Sequence, residues 1–140
     1  MEILRFEKPS RPKSTIRPKK LICIPVDESY DSEEAIDWAM NNIVDPETDQ
    51  IVLLNVRPEA FAYDPLFWDQ QAELEFDKFN TRYSHALLRK YIRIVRTYGA
   101  HVFAIALRGD TLTELVWKIN ELGPDIVVFG HQDRVGTDCT

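Results

Sequence analysis

Four short apolar runs divide the chain: LICIPV (21–26), QIVLLNV (50–56), HVFAIAL (101–107) and DIVVFG (125–130). Each is short, and none alternates polar with apolar along its length. That is the pattern of strands buried on both faces, as in a parallel sheet. Between the runs the apolar positions change period. Ala35, Ile36, Ala39, Met40 and Ile43 recur at helical spacing. Asp31 with Glu34 three residues later predicts a capped helix start there, and Asp45-Pro46 predicts its end. Phe76, Phe79, Tyr83, Leu87, Tyr91, Ile94 and Tyr98 form a longer stripe, which predicts a helix over about 72–98 stopped by Gly99. Gly109-Asp110-Thr111 predicts a turn and cap into a third helix over about 111–122, with Leu112, Leu115, Val116 and Ile119 inward. Gly123-Pro124 ends it. PEAFAYDPLFWDQ (58–70) has no period, and its rings and two prolines predict a loop packed down by its aromatics.

The order is therefore β-α-β-α-β-α-β. Helical links of this length imply parallel pairing through right-handed crossovers. The predicted class is α/β: a three-layer, open, Rossmann-like parallel sheet with four visible strands. In such sheets a ligand lies beyond the carboxyl ends of the strands, at a topological switch point. Pro25-Val26-Asp27, Asn55-Val56 and Phe129-Gly130 are the strand ends that could frame it. Which of them adjoin depends on strand order, and periodicity does not give strand order.

Composition narrows this. A chain of 140 residues, 44% apolar and 29% charged, fits one globular domain. No run of about 18 apolar residues is present to cross a membrane. The N-terminus has charge but no apolar core of a secretory signal. Cys23 and Cys139 lack metal or redox spacing, and Cys23 lies within an apolar run. The expected setting is cytoplasmic and reducing. The net charge of −6 is uneven. MEILRFEKPSRPKSTIRPKK, residues 1–20, has seven Lys and Arg against Glu2 and Glu7. The rest is strongly acidic, which argues against nucleic acid as a partner. We divide the chain into a disordered basic tail (1–18), an α/β domain (19–132) and an irregular C-terminal tail (133–140).

Candidate chemistry is sparse. Neither a G-x-G-x-x-G nor a G-x-x-x-x-G-K-[ST] cradle occurs, and no G-x-S-x-G elbow. His85 and His101 are isolated, whereas His131 follows a strand end. His131, Asp133 and Cys139 match no metal-ligand spacing, so no metal is assigned. Asp27 has two readings. Past a strand end, a carboxylate can accept hydrogen bonds from ribose hydroxyls or an adenine amino group. It can equally hold the turn into the next helix.

KKLICIPVDESYDSEEAIDWA (19–39), QIVLLNV (50–56) and RGDTLTELVWKINELGPDIVVFG (108–130) resemble the universal stress protein family. The last is the most specific, with its Gly-Asp turn, amphipathic helix, Gly-Pro-Asp break and apolar strand ending in glycine. The resemblance implies an adenine-nucleotide-binding α/β fold of the alpha-hydrolase-like type, its sheet ordered 3-2-1-4-5. Members that bind ATP or AMP use the first strand end for adenosine, which maps onto Pro25, Val26 and Asp27. A second-strand valine maps onto Val56. The phosphate loop G-x-x-G-x9-G-[ST] opens at Gly130, preceded by Phe129. There the match stops. Asp133 stands where the second glycine belongs, and Thr140 is reached before the third. Glycines in such a loop let backbone N–H groups approach phosphate, whereas a carboxylate repels it. The resemblance thus implies a stress-response regulatory domain with a partial site, taking adenosine or AMP better than ATP, and no turnover. The alternative is a nucleotide-free interaction module, with a homodimer or protein partner at an exposed fourth-strand edge. A shortened form of an ATP-binding member is a further expectation.

Overall fold

The computed structural model describes residues 2–4, 19–59 and 70–130. Its elements, in chain order, are β1 (Glu2–Leu4), β2 (Leu21–Pro25), α1 (Tyr30–Asn42), β3 (Gln50–Arg57), α2 (Gln70–Thr97), β4 (His101–Arg108), α3 (Thr111–Leu122) and β5 (Ile126–Val127). The sheet order is β1-β4-β3-β2-β5. The strands β2 to β5 run parallel, and β1 adds an antiparallel edge beside β4. Residues 2–4 fall in a stretch read from sequence as a tail. Here Ile3 stands opposite Ile105 in a ladder.

The apolar runs make strands because both of their faces are covered. Ile22, Ile24, Ile51, Leu53, Val102 and Ala104 pack under α1 and α2. Cys23, Val52, Leu54, Ile105 and Leu107 face the other way, toward Leu115, Ile119 and Leu122 of α3. Glycines stop the helices where a left-handed residue is needed. Gly99 has φ 81° beyond α2, and Gly123 caps α3 at φ 59°. Asp110 caps the start of α3 as expected, accepting from the Thr113 N–H at 3.0 Å. Asp125 fixes the entry to β5, its carboxylate accepting from the Leu21 N–H at 2.8 Å. Among the described residues no helix is long and apolar enough to cross a membrane.

Three local expectations are corrected. The N-cap of α1 is Ser29, not Asp31, and its side chain makes no cap hydrogen bond. The loop from β2 is held by other groups, so the helix begins earlier. Leu112 and Val116 do not point inward on α3. They are 71% and 50% exposed, while Lys118 is buried. Apolar residues lie on more than one side of this helix, and the inward arc is the one centred on Leu115, Lys118 and Leu122. On α2 the stripe splits. At about 1.5 Å per residue the 28-residue helix runs about 42 Å, while the 8-residue β4 beneath it spans about 27 Å. Leu88, Tyr91, Ile92 and Val95 reach the core, and Phe76, Phe79 and Tyr83 are left exposed. The predicted aromatic loop, residues 60–69, lies outside the described residues.

Candidate functional site

The strand order answers what periodicity could not. From β2 the chain goes one way to β3 and β4, and returns to place β5 on the other side of β2. The switch point is therefore the gap beyond β2 and β5, where Asp27 and Gly130 lie. A cavity of about 550 Å³ opens there, within the usual range for small-molecule sites. Pro25, Val26, Asp27, Val56, Phe129 and Gly130, the six residues read from sequence, all line it. Asn55 lines it as well. Thr111 and Leu115 bring the start of α3 to its wall.

The loop from β2 to α1 is built around Asp27. Its Oδ1 accepts from the Ser29 N–H at 2.8 Å and from the Ser32 hydroxyl at 3.0 Å. Ser32 Oγ in turn accepts from the Asp27 N–H at 2.8 Å. Partial burial pushes this carboxyl up. The bonds from Ser29 and Ser32 outweigh that and hold it below the ordinary range. Asp27 thus holds the turn and lines the cavity. The two bonds to Oδ1 use half of a carboxylate's acceptor capacity.

Behind this loop lies a buried polar network, of which sequence reading named Asn55 at a strand end but not its partners. The Asn55 amide donates to the Val26 carbonyl at 2.8 Å, and the Ser84 hydroxyl donates to Asn55 Oδ1 at 2.6 Å. The Tyr91 hydroxyl donates to the Asp27 carbonyl at 3.1 Å. Burial first, then the carboxylates of Glu33, Asp27 and Glu28, push the Tyr91 phenol up, so it stays a donor. One signal for this was available. Asn55 is the one polar residue between Ile51 and Val56, and asparagine is disfavoured in strands. Ser84 and Tyr91 carry no such mark.

Gly130 closes the cavity against α1. A Cβ there would lie 2.8 Å from the Asp31 carbonyl oxygen, so the chains meet too closely for any side chain. Residues 131–140, with His131, Asp133 and Cys139, lie outside the described residues. Among those described, no group of three acidic, histidine or cysteine side chains is placed to hold a metal.

A second cavity, about 520 Å³, lies beyond β5. It is lined by Trp38, Ile43 and the Ile126–Phe129 segment, together with Asp31 and Glu34. Trp38 is 54% and Phe129 60% exposed.

Neither a family model nor a curated protein matches the sequence. Solved structures do. The universal stress protein UspA from Lactobacillus plantarum superposes with a TM-score of 0.68 at 16% identity, over 89% of this chain and 86% of that one. The fold is that of the universal stress proteins. A universal stress protein family member from Arabidopsis thaliana, solved with AMP bound, matches at TM-score 0.62 and 18% identity, over 85% and 81% of the two chains. A universal stress protein in complex with cAMP matches at TM-score 0.56 and 17% identity, over 78% and 74%. The order β4-β3-β2-β5 is, in parallel-strand order, the 3-2-1-4 part of the sheet that the resemblance implied.

Proposed function

We propose that this chain is a member of the universal stress protein family and binds the adenosine part of an adenine nucleoside or nucleotide at the switch-point cavity. Its role is regulatory binding without turnover. One observation carries the reading. Six residues chosen from three separate strand ends line a single cavity in a fold whose solved neighbours include an AMP complex and a cAMP complex. Val26, Leu54, Val56 and Leu115 offer an apolar wall suited to a base. Asp27 and the adjoining serines offer acceptors and donors suited to ribose hydroxyls.

Calorimetric titration of the full chain with adenosine tests this, beside Asp27→Ala. Saturable binding is expected, weakened at least tenfold by the substitution, which corresponds to about 1.4 kcal/mol. No heat and no thermal shift with any adenine compound at millimolar concentration would overturn it. ATP hydrolysis that disappears in Asp27→Ala would overturn the absence of turnover.

A second reading is favoured by the apolar cavity beyond β5. Among the described residues β5 is a two-residue edge strand with exposed Trp38 and Phe129 beside it, a surface suited to a homodimer or protein partner adding a strand. This surface would serve equally in a chain that binds no nucleotide.

A further inference from the structure

We propose that the switch-point cavity selects against phosphate: its ligand is an adenine nucleoside whose 5′ substituent is uncharged or cationic. This rests on the adenosine-binding reading above and goes further, by setting the sign of charge the site accepts.

Among the described residues, the charged groups lining the cavity are Asp27, Glu28 and Asp31. No Lys, Arg or His lines it among the described residues. An anion entering a partly desolvated space beside three carboxylates is repelled by each of them. Helix N-termini commonly compensate, because their free N–H groups and dipole attract anions. Two helices begin at this cavity, and both are already occupied by acid. α1 has Asp31 and Glu33 in its first turn. α3 is capped by the Asp110 carboxylate and has Glu114 in its first turn. The Ser29 N–H, which could otherwise reach a phosphate oxygen, is spent on Asp27.

Asp27 is held in its loop through Oδ1, which leaves Oδ2 for the ribose, whereas Glu28 is exposed and Asp31 half-buried. Those two carboxylates set the selectivity. A cationic 5′ group gains what a phosphate loses. A neutral hydroxyl stands between them.

A matched series reads this directly. The full chain is titrated with 5′-amino-5′-deoxyadenosine, adenosine and AMP at low salt, so that the 5′ group runs from cation to neutral to anion. Affinity is expected to fall in that order, by about tenfold per step, and the spread is expected to shrink as salt is raised. Glu28→Gln combined with Asp31→Asn should compress the series toward equal affinities. Glu47→Gln, in the turn before β3 at the opposite end of the strands, should leave the ratios unchanged. AMP binding as tightly as adenosine, or more tightly, would overturn the charge selection and leave the adenosine reading standing. The same holds if the double variant leaves a phosphate penalty intact. If none of the three compounds binds, the adenosine reading falls and this inference falls with it.

Discussion

At the scale of single residues, Asp27 joins stability to pH. Its folded-state carboxyl lies below its ordinary value of 3.8, because Ser29 and Ser32 donate to the ionised form. A group depressed in this way stabilises the fold above its unfolded-state value, and that contribution is lost as pH falls through the folded value. Asp27→Asn should therefore lower the urea midpoint at neutral pH. The gap between the two proteins should close as pH drops well below 3.8. A gap of constant size down to strong acid would mean that the charge of Asp27 contributes nothing to holding this loop. Asp27 was legible from sequence as a residue at a strand end, with two readings left open. The structure shows that the turn-holding one is real: the carboxylate accepts from Ser29 and Ser32. Gly130 was legible as a strand-ending glycine, yet its local reason was not. It is glycine because the Asp31 carbonyl oxygen lies 2.8 Å from where a Cβ would stand, and a contact between residues 99 positions apart leaves no trace in either local pattern.

At the scale of elements, the strands were readable because a parallel strand covered on both faces must be apolar throughout. Helix positions were readable from their period and their glycine stops. Which arc of a helix faces inward was harder. α3 has apolar residues on several sides, and its inward arc was fixed by where β3 and β4 lie beneath it. Leu115, Ile119 and Leu122 meet Leu54 and Leu107, while Val116 turns to solvent. The orientation has a measurable consequence. Ile119→Ala should cost about 1–2 kcal/mol in chemical denaturation, from lost burial and an incompletely filled gap. Val116→Ser on the exposed side should fall within about 0.5 kcal/mol of the parent. Equal losses would place both residues in the core and reverse the corrected orientation. The stripe on α2 has a related cause. Its period continues past the end of the sheet, and period alone says nothing of where the surface beneath it stops.

At the scale of the molecule, the open question is what meets the edge at β5. Among the described residues the sheet ends there in two residues, beside an apolar cavity flanked by Trp38 and Phe129. An edge of this kind is a template for pairing. A second copy would extend the sheet, but charge opposes the approach. Asp31 and Glu34 are among the cavity's lining residues, α1 has no basic residue, and the chain is −6 overall. Two such faces repel at low ionic strength, and added salt screens the repulsion within about 10 Å at 0.1 M. A self-dimer through this edge should therefore strengthen with salt, whereas a basic partner should bind less tightly. Sedimentation equilibrium of the full chain across a salt series separates the two. The expected result is a shift of mass toward dimer as salt rises, abolished by Trp38→Glu with the thermal midpoint unchanged. Trp38 is 54% exposed, so its replacement should leave the core intact. A monomer at every salt concentration would exclude a second copy as the occupant. The acidic lining residues would then favour a basic protein segment at the same groove.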